Sequence, residues 1–404
     1  MKLLKEARNL DSYLSQGGFN ALESSLKKAQ VKIIEEIENS GLVGRGGAAF
    51  PTGLKMKYVA MNSQTPKFIV ANADEGEPGT FKDRVLMEKN PYRILEGMII
   101  SAYAIGAKKG FVYIRQEYRK IAHKLGEIIK ELRQEGYLGR NIMGSKFSFD
   151  IEIVIGAGAY ICGEETALLE SIGGKRGFPR IKPPYPAQHG LWGKPTLVNN
   201  VETLANIPLI INMGGENYRT QGTELCPGPK LFSVSGFVKK PGVYEELMGK
   251  ATIAEIIERA GGVDGELKGF MIGGGAAGYI VNESYLDMPL CYYHARARGI
   301  SLGTGTIIVF NTSVNLWKIL LKIAEFFEHE SCGQCFPCRY GTKRMRSIIS
   351  KIVNGNGKRE DIDFLNRIAR AMKIASLCPL GTSAPIAYQS AMKHFKEELL
   401  EVIE

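Results

Sequence analysis

Three cysteines, Cys332, Cys335 and Cys338, fall within seven residues, and a fourth, Cys378, follows forty residues later with Pro379 behind it. Two residues between successive cysteines present three thiolates from one tight loop, as a cubane requires before its last ligand arrives from elsewhere. Bacterial ferredoxins use the same interval. A structural zinc site more often gathers its sulfurs as two separated pairs; it stands beside the [4Fe–4S] reading as the plainer alternative, with free thiols behind both. Gly333 and Gly341 give the loop backbone freedom, and Arg339 sets a positive charge where an anionic cluster would lie, although ordinary loop chemistry explains each residue as well.

Four other loops carry groups that hold ligands. Gly44-Arg45-Gly46-Gly47-Ala48-Ala49-Phe50-Pro51-Thr52-Gly53-Leu54-Lys55 is glycine-rich, basic and followed by helix-like sequence. Backbone amides in such a loop cradle phosphate, and Arg45 and Lys55 are placed to neutralise it. It is neither a Walker loop nor a dinucleotide fingerprint, and a plain surface loop is its other reading. Asn72-Ala73-Asp74-Glu75-Gly76-Glu77 follows a strand-like Phe68-Ile69-Val70-Ala71, so its carboxylates and amide stand where an α/β fold meets polar ligand atoms, unless they form a solvated turn. Gly156 to Thr166 contains Gly163, Glu164 and Glu165 at the start of a helix. Helix capping explains the acids, and they would also repel a nucleotide 2′-phosphate. In Asn199-Asn200-Val201-Glu202-Thr203, amides and a hydroxyl at a helix start suit either phosphate or a cap. Gly273 to Gly278 looks like a dinucleotide fingerprint, but the strand-like Tyr279-Ile280-Val281 follows it where a helix should, so turn glycines are expected.

These loops need elements to hold them. Phe68–Ala71, Phe111–Ile114 and Ile151–Ile155 read as strands, and Glu23–Asn39, Tyr92–Ala107 and Tyr118–Gln134 as helices, which predicts an open α/β sheet with its ligand crevice at the strands' carboxyl ends. After Cys226-Pro227-Gly228-Pro229 come strands at Lys230–Val238 and Val243–Glu245, one helix at Thr252–Ala260 and glycine-punctuated strands, which suit a small β-rich unit. From Thr312 onward, apolar residues such as Leu316, Leu320, Ile323 and Phe327 recur at helical spacing, and a helical bundle is expected. The expected domains are 1–225, 226–311 and 312–404.

Composition narrows the classes. The 404 residues exceed one hydrophobic core, and 44% hydrophobic with 23% charged residues is the balance of a globular protein. No apolar run spans a bilayer and the start lacks a secretory signal, so a cytoplasmic protein with no direct membrane insertion is expected. Seven cysteines are too few for a disulfide scaffold, and Cys162, Cys226 and Cys291 are expected as thiols. The net charge of +10 invites nucleic acid, but the basic residues are dispersed and cluster no further than pairs. A surface that holds phosphorylated cofactors or docks an acidic partner fits better.

Taken together, the four loops and the cysteine set closely resemble the NADH-binding flavoprotein subunit of respiratory complex I and its relatives, the flavin subunits of NAD-linked hydrogenases and formate dehydrogenases. The likeness runs from about Gly41 to Ala384 in the family's motif order. It implies a Rossmann-like FMN/NADH domain, a β-grasp-like domain and a helical bundle carrying a [4Fe–4S] cluster. FMN contacts then fall on Gly44, Arg45, Gly46, Lys55, Asn72, Asp74, Glu75, Gly163, Glu164, Asn199, Asn200 and Thr203. NADH contacts fall on the aromatics Phe50, Tyr58 and Tyr185 and on Glu77, Glu165 and Lys182. Ala49 stands where the family often has glycine, Met56 where tryptophan is common, and Tyr58 and Tyr185 where some members have phenylalanine.

The implied activity is hydride transfer from NADH to FMN, then single electrons to the cluster, because nicotinamide releases its electrons as a pair and a cluster takes one. No acid, base or nucleophile is required, so no catalytic residue is named. The three remaining cysteines cannot build a second cluster, so a thioredoxin-like [2Fe–2S] subunit and a larger iron–sulfur or catalytic subunit are the implied partners, through which the chain would be peripheral to the inner membrane. The alternatives are the flavin subunit of an NAD(P)-linked, electron-bifurcating or simple, hydrogenase or formate dehydrogenase, and a non-catalytic scaffold braced by metal. Many hydrogenase flavin subunits carry flanking thioredoxin-like and ferredoxin-like segments that this sequence lacks, which counts against that branch.

Overall fold

A computed structural model describes residues 2–403. Four runs rich in β-branched and aromatic residues form a parallel sheet: β1 (Phe68–Ala73), β2 (Lys109–Arg115), β3 (Asp150–Gly156) and β4 (Thr196–Asn200). Their order is β3-β2-β1-β4. The chain therefore starts in the middle, winds outward through β2 and β3, and returns to the opposite side at β4. Such a reversal leaves a crevice at the carboxyl ends of β1 and β4, where neighbouring connections diverge to opposite faces. In register, Ala71 lies beside Asn199 and Asn72 beside Asn200.

Helices Pro91–Ile105 and Val201–Met213 pack against each other beneath this crevice. Gly97 allows the contact, since a Cβ there would come within 1.9 Å of the Leu204 carbonyl oxygen. The expected helix Glu23–Asn39 is two helices, Asn20–Leu26 and Gln30–Asn39, because the chain turns at Lys27 and the Lys28 amide bonds back to the Ser25 carbonyl. Strand β4 did not stand out in the sequence. Its five residues include two asparagines, which hide a strand pattern.

A two-residue ladder, β5 (Gly222–Thr223) with β6 (Cys226–Pro227), leads into a second sheet. That sheet contains β7 (Pro229–Gly236), β8 (Gly242–Leu247), β9 (Leu267–Ile272), β10 (Tyr279–Val281) and β11 (Thr306–Asn311), in the order β10-β9-β11-β7-β8. Only the β11–β7 pair is parallel. Helix Ile253–Arg259 follows the hairpin as expected, and a second helix, Tyr292–Ala297, was not anticipated. Cys226 and Cys291 were expected as thiols; they are joined as a disulfide. They lie 65 residues apart, and pairing of β6 with β5 brings the first to the amino end of the Tyr292–Ala297 helix. Cys162 remains free.

The remaining chain is helical, with Leu316–Glu330, Phe336–Val353 and Arg359–Ala375 as its long members. Gly341 lies on Met372, where a Cβ would approach Sδ to 2.3 Å, so the second and third helices run close together. No helix among the described residues is long and apolar enough to cross a membrane. One apolar core runs from one face of the parallel sheet (Val70, Phe111, Tyr113) into the bundle (Leu320, Phe327, Met345). Sheet and bundle are thereby packed as one body, which fixes the crevice relative to the cysteines.

Candidate functional site

The glycine loop closes on itself at the mouth of the crevice. The Gly44 amide donates to the Phe50 carbonyl at 2.9 Å, and Val43 bridges to Pro51. Gly46 faces β4, where a Cβ would sit 3.2 Å from Asn200 Cβ. The Arg45 amide donates to Thr203 Oγ1 at 2.8 Å. Its guanidinium departs from expectation. Arg45 is 0% exposed, and Nη2 donates to the Pro227 carbonyl at 2.6 Å while Nη1 meets Met248 Sδ. It braces the loop against β6. Lys55 donates to the Val198 carbonyl at 2.7 Å and to Glu165 at 2.9 Å.

At the end of β4, the Asn200 side chain caps the following helix through the Glu202 amide and donates to Asp83 at 2.6 Å. Asn199 is buried and its Nδ2 has no partner in the chain. At the end of β1, Asn72 donates to the Gly163 carbonyl at 3.0 Å, and Asp74 Oδ2 is likewise buried without a partner. Burial pushes the Asp74 carboxyl up to about 7 against the pull of Arg115. An orphaned donor and an orphaned acceptor at the ends of adjoining strands are what a polar ring ligand would satisfy. Glu75 points elsewhere, accepting the Asp83 and Arg84 amides and the Tyr118 hydroxyl. Burial, and then Asp83 beside it, push Glu75 up to about 7.

Glu77 is nearly buried, and its carboxylate accepts the Tyr160 hydroxyl and the amides of Ala276 and Ala277, the two amides at 2.8 Å. The Gly273–Gly278 segment is therefore a turn, as expected, and it holds an anion of this chain's own. Glu164 caps helix Glu165–Ile172 through the Thr166 and Ala167 amides and receives Lys182 at 2.9 Å. Glu165 lies between Lys55 and Lys182, at 2.9 and 3.3 Å. Burial would raise its carboxyl, but the two ammonium groups hold it below the usual range. Phe50, Tyr58 and Tyr185 are about half exposed, a cost in contact with water that an incoming flat ring would remove.

Cys332, Cys335, Cys338 and Cys378 ring a small cavity walled by Ile161, Pro179, Leu377 and Leu380. The hairpin of the second and third bundle helices returns Cys378 to the three-cysteine loop. No group of three or more His, Cys, Asp or Glu among the described residues converges on a position for one metal ion. Four sulfurs that do not converge on one such position suit a cluster better than a lone zinc ion. Burial, opposed by the Ser331 hydroxyl and reinforced by the neighbouring cysteines, pushes the Cys338 thiol up to about 11. Thiolates so disposed need a polycation among them, and iron would supply it.

Sequence reasoning missed two groups. Tyr160 bridges crevice and cysteines: its hydroxyl is on Glu77, its amide donates to Glu330 two residues before Cys332, and its neighbour Ile161 lines the cavity. The other is a buried ion cluster behind the glycine loop. Lys82 contacts Asp83 and Glu202 at 2.7 Å each, while Lys230 lies 3.8 Å from Glu202 and donates to the Thr304 carbonyl. Burial lowers Lys230 to about 7, with Glu202 opposing. Nothing in the local pattern marks these residues, because Lys82, Glu202 and Lys230 come from distant parts of the chain and only the fold brings them together.

Residues 37–209 match the Nuo51 FMN-binding domain and residues 318–402 the NADH-ubiquinone oxidoreductase-F iron-sulfur binding region. The chain is 47% identical over 401 residues to a subunit of the NADH-quinone oxidoreductase of Aquifex aeolicus, covering 98% of this chain and 93% of that one. It is 43% identical over 397 residues to a subunit of the NADH-quinone oxidoreductase of Rhizobium meliloti, covering 98% and 94%. Among solved structures, NAD+-reducing [NiFe]-hydrogenase in the H2-reduced state contains a chain that superposes with TM-score 0.89 at 36% identity, covering 99% of this chain and 68% of that one.

Proposed function

The chain belongs to the family of NADH-quinone oxidoreductase subunits that join an FMN-binding domain to an iron–sulfur binding region, and from that premise we propose how its residues share the work. It is an FMN- and [4Fe–4S]-dependent NADH oxidoreductase and one subunit of a larger complex. FMN supplies the conversion of a hydride into two single-electron transfers. The loop at Gly44, Arg45 and Gly46, with Asn200 and Thr203 at the helix start, surrounds the phosphate end of the flavin. Lys55, Asn72, Asp74, Gly163, Glu164 and Asn199 shape the pocket for its ring, and Glu75 braces the loop beside it through the Asp83 and Arg84 amides. Phe50, Tyr58 and Tyr185 stack the nucleotide, and Glu77, Glu165 and Lys182 orient its polar parts. Cys332, Cys335, Cys338 and Cys378 carry the cluster.

One observation carries the electron path: Tyr160 touches the acidic loop through its hydroxyl and the end of the Leu316–Glu330 helix through its amide, with Ile161 in the cavity wall. Crevice and cavity are one residue apart along the chain. The residues act by positioning and by excluding water; no proton transfer by a side chain is needed. The division into units 1–225, 226–311 and 312–404, and a β-grasp-like middle unit, are supported by the hairpin, helix and parallel return of β11 beside β7. A thioredoxin-like [2Fe–2S] subunit and a larger iron–sulfur subunit are the proposed partners, and a cytoplasmic, membrane-peripheral location follows from them.

A second reading, the flavin subunit of a hydrogenase, is favoured by the 36% likeness to the NAD+-reducing enzyme. The greater identity to quinone-linked relatives ranks it second. Anaerobic reconstitution with FMN, iron and sulfide, followed by NADH and NADPH titration, tests the activity. NADH should bleach the flavin absorbance. No bleaching by either nucleotide would overturn the enzyme reading.

A further inference from the structure

The four cysteines around the cavity do not share one environment. Cys338 and Cys378 are buried, 4% and 9% exposed, whereas Cys332 and Cys335 are partly open to water. Reduction of a cluster held by four thiolates adds a negative charge to a group that is already anionic. Apolar walls such as Ile161, Pro179, Leu377 and Leu380 oppose that charge. Water can answer it at the two open sulfurs. At the two buried ones the protein must supply the donors.

It does so differently at each. Burial pushes the Cys378 thiol up, and the backbone amides of Gly381 and Leu380 oppose it. Gly381 has no room for a side chain, since a Cβ there would come within 2.5 Å of Ser376 Oγ and 2.9 Å of Cys338 Cβ. At Cys338 the donor is a side chain. Ser331 Oγ lies 3.3 Å from Cys338 Sγ, and among the described residues this is the one side-chain hydrogen bond made to any of the four cysteines. Its direction follows from its surroundings. Ser331 Oγ already accepts the Gly333 amide at 3.4 Å, which the left-handed backbone of Gly333, at φ 77, turns back toward it. A sulfur that ligates iron is a thiolate with no proton to give, so the hydroxyl proton goes to Sγ. The hydroxyl is also held from behind: Ser331 caps helix Leu316–Glu330, and its amide donates to the Phe327 carbonyl at 3.1 Å. Neighbouring charges do not replace it. Glu330 is an anion fastened to the Tyr160 amide, and Arg339 is exposed with its guanidinium on the Gly333 carbonyl.

We propose that the Ser331 hydroxyl sets how readily the cluster accepts an electron: by donating to Cys338 Sγ it stabilises the reduced form more than the oxidised one and raises the midpoint potential. The proposal rests on the cluster reading of the four cysteines. Hydrogen bonds to the ligating sulfurs are among the factors that fix such potentials, together with charge and exposure to water. A bond at a buried sulfur counts for more than one at an open sulfur, because no water competes with it. Ser331 is thus a positioning residue, acting through Cys338 and touching neither nucleotide nor flavin.

Redox titration of the full chain loaded with FMN and cluster, followed by EPR, reads the effect without turnover. At the potential where half of the wild-type clusters are reduced, the reduced-to-oxidised ratio in Ser331→Ala should be about fourfold lower, a midpoint about 35 mV more negative at about 59 mV per tenfold. Ser331→Thr keeps a hydroxyl and should stay within about twofold of wild type. Bound iron and the flavin midpoint should be unchanged in both variants, which a general loosening of the loop would not leave. Wild-type protein offers a second measurement that needs no variant. ENDOR of the reduced cluster should show a coupled proton that exchanges in D2O, and Ser331→Ala should lack it. A wild-type ratio in Ser331→Ala with its cluster intact, or no exchangeable coupling in the wild-type protein, would overturn the proposal. A wild-type chain that takes up no iron on reconstitution overturns the cluster reading, and this proposal with it.

Discussion

Glu330 accepts the backbone amide of Tyr160 at 2.9 Å across 170 residues of sequence, so the last turn of the first bundle helix is fastened to the loop that shapes the crevice. The carboxylate is only 16% exposed, and a buried amide held by a charged acceptor contributes about 1.5–3 kcal/mol. Glu330→Ala should therefore lower stability by about 1–2 kcal/mol in urea unfolding. It should also slow NADH-driven appearance of the reduced-cluster EPR signal while flavin bleaching keeps its rate. Glu330→Gln still offers an oxygen and should recover most of both losses. An Ala variant with unchanged cluster reduction would remove Glu330 from any positioning role.

Asp74 makes stability depend on pH in a calculable direction. Burial pushes its carboxyl up to about 7, whereas an unfolded aspartate titrates near 3.9. Between those values the folded chain binds a proton that the unfolded chain has lost. Stability from this group is thus full at low pH and is lost as pH rises to about 7, by up to about 4 kcal/mol. Glu75 is raised in the same sense and adds to the slope. In flavin-free protein, Asp74→Asn should flatten part of the fall in unfolding free energy between about pH 4 and 7. Equal slopes for variant and wild type would place the proton elsewhere.

Ala49 sits at φ 53 in the closed glycine loop, a left-handed conformation that costs a residue with a Cβ about 1 kcal/mol. Glycine adopts this conformation without that cost. Ala49→Gly should stabilise the protein by roughly 0.5 kcal/mol once the extra freedom of glycine in the unfolded chain is counted. A urea midpoint that moves down would indicate that the methyl group packs usefully.

Much of the site is legible in the sequence alone. The three-cysteine loop, the glycine loop and the acidic strand end announce themselves because their chemistry is local: each is complete within a dozen residues. The parallel sheet was legible from three strands, and its fourth was hidden by Asn199 and Asn200, which are there for the crevice and not for the strand. What sequence could not give were relations between distant residues. The Arg45 side chain looked free to meet phosphate, but Pro227 and Met248 claim it. Cys226 and Cys291 looked like stray thiols because a disulfide's partner is set by the fold.

Cys378 is the most remote of the four proposed ligands in sequence, yet it is nearly buried and lines the same cavity as the other three cysteines. Cys378→Ser replaces a soft thiolate by a poor ligand for iron. Bound iron and sulfide should fall by most of their value, whereas flavin absorbance should persist because the crevice shares no residue with the cavity. Retention of iron would exclude Cys378 from the ligand set.

Under the proposed site assignment, Glu165 is expected to select the nucleotide through a balance of charge. Lys55 and Lys182 hold its carboxyl ionised across the working pH range, so at neutral pH one anion stands between two cations. A 2′-phosphate approaching this point meets the carboxylate directly and finds both ammonium groups already engaged. In Glu165→Gln the negative charge is gone, the amide keeps one oxygen for a lysine, and the second lysine is released toward the ligand. The efficiency with NADPH should then rise at least tenfold, equivalent to about 1.4 kcal/mol. NADH should lose no more than a fewfold, because its ribose hydroxyl can still bond to the amide. Steady-state kcat/KM with ferricyanide as acceptor, for both nucleotides in both proteins, measures the ratio. A ratio unchanged from wild type would mean that shape, and not the charge on Glu165, excludes the phosphate.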